Sequence, residues 1–499
     1  MSTATPHRTA RGSAPVGGGL PQPSAARPAP APAPAPIRPR GWSLRLPTGW
    51  PLTALFVLYP LWWALGVSTF IVVILAVPMA VQLLRRRQVR VPPGFGIWLL
   101  LLVWVLLSVV TLDLTAPDTL PPAGGGRYIG WAIRLANYVA MTVVMLYVLN
   151  LSERELPRRR VIRNFGFMGV VVVIGGWLGS LFPTAGFVAP LQLVLPHSIA
   201  SQPFVASLMD VKFAQVQQVI VGEASSPRPS APFAYTNSWG ENTAILLIWL
   251  LVGWVVLGRP VRRVLGIAIA LAAIFPIIYS LNRGLWIGLG ISAVYVAIRL
   301  ALRGRMAVLG GLALAVGLIG ILIIATPLGK TFDERLQNGH SDDIRTTLSE
   351  GALTAANHSP VLGYGGNRAL IGSNRSIAIG KSDDCKQCGN RELGSNGQLW
   401  ALLVGQGYVG AFCYNAFFLY CLWRFRHDHS AIGIAGSLVL ILMLFFQFTY
   451  GALEATLAYG LISVALLARN DRLRRAVAPA PPRNTVGGLR ARIEAAGDR

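Results

Sequence analysis

Long uninterrupted apolar runs decide most of what this chain can become. Ile97–Val110 and Val308–Ala325 contain no charged side chain. Each approaches the ~20 residues that carry a helix across ~30 Å of hydrocarbon. A soluble domain carries roughly 25% charged residues, whereas this 499-residue chain is 13% charged and 53% hydrophobic. The expectation is an all-α, polytopic membrane helix bundle.

The formal charge of +24 raises nucleic acid as a partner, and its distribution argues against one. The basic residues fall in short clusters between apolar runs, the pattern by which Lys and Arg mark cytoplasmic loops. Reading spans by hydropathy and orientation by arginine clusters predicts about 12 transmembrane helices. They lie near Pro51–Leu65, Ser68–Leu84, Gly96–Leu112, Ile129–Leu149, Asn164–Phe182 and Glu241–Leu257, then Val264–Ser280, Gly284–Leu300, Met306–Thr326, Asn396–Trp423, Ala431–Tyr450 and Leu453–Leu467. Every even-numbered return reaches a basic cluster such as Arg85–Arg87 or Arg158–Arg160, so both termini are expected in the cytoplasm. Residues 1–48 are Pro/Ala/Arg-rich and 471–499 are basic. Both read as disordered cytoplasmic tails around a membrane domain at 49–470, able to touch anionic lipid or simply to be solvated.

Two long extracytoplasmic loops are expected, about 183–240 and 327–395. The second, between spans 9 and 10, is different in kind. From Lys330 to Glu392 it carries eight basic and eight acidic residues, and loops of this length are usually functional or disordered. Ser341–Asn357 predicts a helix within it, with Ser341-Asp342-Asp343 able to cap its start and Ile344, Leu348, Ala352 and Ala355 at helical spacing. A glycine-rich turn follows, Gly363-Tyr364-Gly365-Gly366-Asn367.

Three arginines are candidates for chemistry. Arg283 stands at the outer tip of a tight hairpin, against the positive-inside trend; it either snorkels to headgroups or presents its planar fork to a diphosphate. Arg345 lies on the predicted loop helix, where the alternative is an ordinary ion pair with Asp342 or Glu350. Arg134 lies within the fourth span, where an ionisable residue is costly and functional by default unless it reaches the interface. Cys385 and Cys388 form a Cys-x-x-Cys in the outside loop, which favours a structural disulfide. A zinc site needs two further ligands, and Cys413 and Cys421 fall inside a span. No phosphate-binding loop or dinucleotide fingerprint is present, so no cofactor is expected.

In family order, these features resemble the O-antigen ligase/polymerase superfamily of bacterial envelope proteins. The carrying residues are Ser280-Leu-Asn282-Arg283-Gly-Leu-Trp286, Asp343-Ile-Arg345, and His358-Ser-Pro360-Val-Leu-Gly363-Tyr-Gly365. Asn396-Gly-Gln398-Leu-Trp400 then runs into Gly405-Gln-Gly407-Tyr-Val-Gly410. The likeness spans roughly residues 50–470. It implies a metal-independent glycan transferase in the plasma (inner) membrane of a bacterium, acting on its outer side. The donor would be a glycan on a polyprenyl diphosphate, and the acceptor a hydroxyl of a glycan or lipid. Arg283 and Arg345 would form the diphosphate clamp, with Arg134, Asn282, Tyr364 and Gln398 binding substrate. Where the family commonly places a histidine, this chain has Asn396, which cannot take a proton. Asp342, Asp343, Glu241 and Glu392 are the acidic candidates for that task. The competing classes are a transporter or flippase of lipid-linked glycans, which predicts broken helices in matching halves, and a non-catalytic envelope-assembly scaffold.

Overall fold

A computed structural model describes residues 47–196, 209–217, 226–304, 340–372, 392–453 and 455–477, with isolated positions between 309 and 317. The expected ninth span, the Cys385–Cys388 pair and most of both tails lie outside the described residues.

The chain is mostly helical. Helices α1 (Trp50–Val57) and α2 (Tyr59–Ala64) are interrupted at Leu58, just before Pro60, whose missing N–H and fixed ring end a helix. After them come α3 (Ile71–Leu84), α4 (Phe95–Leu107, extended by a 3₁₀ turn to Thr111), α5 (Gly126–Asn150) and α6 (Arg158–Leu181). Next are α7 (Thr236–Leu250, continued by a π-helical turn Leu251–Val256), α8 (Pro260–Ala272), α9 (Ile274–Tyr279) and α10 (Arg283–Ala301). The order closes with α11 (His340–His358) in the second long loop, then α12 (Gln398–Phe425), α13 (Ala431–Phe446) and α14 (Ala455–Val477).

Six helical segments are long and apolar enough to cross a membrane: Gly126–Asn150, Arg158–Leu181, Thr236–Val256, Pro260–Tyr279, Arg283–Ala301 and Gln398–Phe425. The expected count of about twelve is therefore not reached among the described residues. Ile71–Leu84, Phe95–Thr111 and Ala431–Phe446 are apolar but short. The segment Pro51–Leu65 is split at Leu58, and α14 turns charged from Arg469 onward. Hydropathy sees composition, not the backbone breaks that shorten a continuous helix.

The all-α character of the bundle holds, and the loops add three short two-stranded ladders. Gly186–Val188 pairs antiparallel with Asp210–Lys212, Ala214–Gln217 with Ser226–Pro229, and Arg368–Ala369 with Glu392–Leu393. Backbone that lies against an apolar bundle must satisfy its N–H and C=O groups locally, and short ladders do this where no helix forms.

The bundle is centred on α5, α6, α7, α13 and α14, with α6 against α7, α3 and α14 against α5, and α4 against α12. Large aromatic side chains fill the centre: Phe165 stacks on Trp249 at 5.3 Å, and Trp98 meets Phe417 at 5.1 Å. In contrast, α8 and α10 expose Val261, Val264, Leu271, Ile287, Val294 and Ile298. Apolar exteriors of this kind suit acyl chains and not water.

Candidate functional site

The bundle has two chemically different ends. One gathers Arg86, Arg158, Arg469 and Arg474; the other carries the α9–α10 hairpin tip and the described parts of the two long loops. The candidate site lies at the loop end.

The hairpin tip is built on a conformation that side chains avoid. Leu281 has φ 51°, left-handed geometry that is an outlier for a branched residue. The turn is held because Asn282 beyond it makes three bonds. Its Oδ1 caps α10 by accepting from the Leu285 N–H at 3.1 Å, and it also accepts from the Tyr450 hydroxyl. Its Nδ2 donates to the Thr236 carbonyl at 3.3 Å. Two glycines make the space: a Cβ at Gly240 would stand 2.2 Å from Asn282 Nδ2, and one at Gly284 would stand 2.1 Å from the Tyr450 oxygen. Asn282 and Tyr450 are both buried, at 3% and 4% exposure.

Charge converges on the same point. Arg345, Glu241 and Arg228 all stand near the Tyr450 phenol. The structure thus brings the Asn282–Arg283 tip and the Arg345 helix to one locus around Tyr450, although 62 residues of sequence separate the two arginines. Arg228 reaches it from the β3–β4 hairpin (Ala214–Gln217 and Ser226–Pro229), which docks on α7. There Gln215 Oε1 accepts from the Thr236 N–H at 3.0 Å and the Arg228 carbonyl accepts from the Thr236 hydroxyl at 3.2 Å.

Asn396 belongs to this locus as a support. Its Nδ2 donates to Ser349 Oγ at 2.9 Å and, at a long 3.5 Å, to the Arg345 carbonyl, so it pins the turn of α11 that carries Arg345. Gln398 links the locus to the interior. Its backbone N–H donates to the Tyr450 carbonyl at 2.8 Å, its Nε2 to the Tyr138 hydroxyl at 2.9 Å, and its Oε1 accepts from the Ala452 N–H at 3.1 Å.

Arg134 and Tyr364 are placed elsewhere. Arg134 donates to the Gly365 carbonyl at 2.8 Å, and a Cβ at Gly366 would stand 3.0 Å from its Nη1. One of its donors holds the glycine turn. Tyr364 sits in a satellite core with Leu348, Ala352, Ala355, Leu393 and Val404. Burial raises its phenol above the ordinary range, while the Arg368 charge opposes that rise.

Sequence reasoning passed over Tyr450 and Arg368. Tyr450 ends an aromatic segment, Phe445-Phe-Gln-Phe-Thr-Tyr450, where an interfacial tyrosine is ordinary. Arg368 donates to the carbonyls of Tyr364 at 2.6 Å and Leu112 at 2.9 Å, clasping the second loop to the end of α4. Nothing local in the sequence marks a guanidinium whose partners are backbone atoms some 250 positions away.

The two glycine motifs pair with each other. Gly407, at φ 64° and ψ −167°, breaks α12. The Val404 carbonyl then accepts from the Tyr364 N–H at 2.7 Å and the Gly405 carbonyl from the Gly365 N–H at 2.8 Å, while the Tyr408 N–H donates to the Pro360 carbonyl at 2.8 Å. A break in an apolar helix is tolerated where other groups re-satisfy the freed backbone, as here.

Among the described residues no His, Cys, Asp or Glu cluster is arranged to hold a metal ion. Compared with known proteins, the chain matches no protein family, no curated sequence and no solved structure.

Proposed function

We propose that the chain is a membrane glycan transferase, ligase or polymerase, that moves a glycan from a polyprenyl diphosphate to an acceptor hydroxyl at the loop end of the bundle. The observation that carries the reading is the convergence of Arg283's hairpin tip, Arg345 and Arg228 on Tyr450. On this reading the described spans belong to a bundle of about twelve crossings, with the loop end outside a bacterial inner membrane and both termini in the cytoplasm.

In this reading the acceptor oxygen bonds to the sugar's anomeric carbon as the bond from that carbon to the diphosphate oxygen breaks. The diphosphate leaves with the electron pair and takes up the acceptor's proton on its own oxygens. The protein's part is to hold the diphosphate and stabilise the charge it gathers. Arg283 and Arg345 grip the diphosphate, and guanidinium suits that task because its planar fork donates two parallel bonds. Asn282, Asn396 and Tyr450 act by positioning. Glu241, at 1% exposure and accepting from the Thr456 hydroxyl at 2.8 Å, is too enclosed to meet an acceptor. It balances the crowded arginines instead.

The test is transfer of a lipid-diphosphate-linked glycan in membranes carrying Arg283→Ala or Arg345→Ala. Each variant is expected to insert normally and lose about a hundredfold or more in rate, the scale of removing a charge-stabilising group. Undiminished transfer in both variants overturns the proposal.

A further inference from the structure

The basic end of the bundle contains a second site that the glycan-transfer reading does not use. At the start of α6 and the start of α8, an open cleft of about 240 Å³ is lined by Arg160, Arg163, Asn164, Trp254 and Arg262. Arg262, Arg160 and Arg259 all lie close enough to repel the Arg163 charge. Among the described residues no carboxylate pairs with any of the four. Other arginines of the basic clusters do find carboxylates: Arg158 and Arg469 pair with Glu153, and Arg474 with Asp428. What sets these four apart is that three of them line or flank one cleft together with Arg163.

A second observation points into the cleft. Asn164 is 7% exposed, and its Nδ2 has no hydrogen-bond partner. A buried amide donor without a partner is destabilising unless something occupies it. The wall beside it is shaped by the π-helical turn Leu251–Val256, a geometry that recurs at functional sites. That turn seats the Trp254 indole against Gly166, where a Cβ would stand 2.2 Å from Nε1. Next to the cleft, Val261, Val264 and Leu265 are exposed on α8.

We infer that this cleft binds a phosphorylated anion, with Arg160, Arg163 and Arg262 taking the phosphate oxygens and Asn164 Nδ2 donating the buried bond. Guanidinium donors with no acidic partner match phosphate chemistry. The exposed apolar side chains alongside suit the tails of an anionic phospholipid, and a free phosphate offers the same oxygens.

The test uses the full chain purified in detergent. Native mass spectrometry compares retention of phosphatidylglycerol with phosphatidylcholine, and titrations follow inorganic pyrophosphate. Arg163→Gln/Arg262→Gln and Asn164→Leu are expected to weaken anion binding by about tenfold or more. The control pair Arg85→Gln/Arg87→Gln, exposed on the same face, leaves it unchanged. Phosphatidylglycerol that pyrophosphate cannot displace identifies a headgroup; saturable pyrophosphate binding that displaces it identifies a soluble phosphate. Asn164→Asp supplies the missing carboxylate, and is expected to raise the melting temperature while abolishing anion binding. Equal binding in wild type and the cleft variants, equal loss in the control pair, or a destabilised Asn164→Asp that still binds anions overturns the inference.

Discussion

The hydroxyl of Tyr450 donates to the side-chain oxygen of Asn282, tying the segment after α13 to the tip of the α9–α10 hairpin. Asn282 Oδ1 also caps α10. Tyr450→Phe removes one donor and leaves the cap in place, so it is expected to cost about 1 kcal/mol. Asn282→Ala removes the cap and leaves the buried Tyr450 hydroxyl unsatisfied, which adds a further ~1–3 kcal/mol. Thermal unfolding in detergent ranks the two. An Asn282→Ala protein no less stable than Tyr450→Phe contradicts the arrangement.

Replacing Arg283 or Arg345 by lysine separates charge from shape. Lysine keeps a positive point charge and loses the planar fork. Each lysine variant is therefore expected to transfer more slowly than wild type and faster than the alanine variant, read as initial rates at saturating donor. Lysine variants indistinguishable from alanine would assign the whole effect to geometry.

Asp428 gives the basic end a pH dependence. Burial pushes its carboxyl up, but the Ser430 N–H, the Asn470 amide and the Arg474 guanidinium outweigh burial and hold it below the usual carboxylate range. A depressed folded value means the stabilisation is complete above the unfolded value, near 3.9. It is lost as pH falls through the lower folded value. The melting temperature is expected to drop in that acid window for wild type, with a smaller drop for Asp428→Asn, whose neutral pH stability is already reduced. Parallel acid limbs for the two proteins would remove Asp428 from the account.

Cysteine labelling reads the orientation. Cys413 and Cys421 are buried, so an impermeant thiol reagent applied to intact cells reports Cys385 and Cys388. Labelling after mild reduction is expected from outside. Labelling only after permeabilisation reverses the proposed sidedness.

Much of the architecture was legible because apolar composition is a local signal. Helices such as Arg158–Leu181 and Arg283–Ala301 follow from the charge-free runs at 164–181 and 284–298 inside them. The short helices were less legible, since a break such as that at Leu58 before Pro60 shortens a helix within an apolar run whose hydropathy stays high. The loop strands gave no signal: Gly186–Val188 is a three-residue strand with all three residues exposed. At the candidate site, Asn282, Arg283, Arg345 and Asn396 stood out by type and place. Tyr450 did not, because its role comes from a hydrogen bond across 168 positions. Arg134 was singled out for charge inside a span, yet its partner is the Gly365 carbonyl, which no spacing rule anticipates.

The glycine pairing also tests the fold directly. Gly407 occupies backbone that only glycine visits readily, and a Cβ there would stand 2.5 Å from the Pro360 carbonyl. Gly407→Ala is expected to cost at least about 1–3 kcal/mol and to expose the second loop to protease in membranes. Unchanged proteolysis would show that the break is not needed.

That break has a consequence for how the protein comes apart. The Val404 and Gly405 carbonyls of α12 accept from the Tyr364 and Gly365 N–H groups of the loop. Pulling either segment away strands buried backbone groups on both. Loop and helix are thus one cooperative unit, and damage to either is felt by the other.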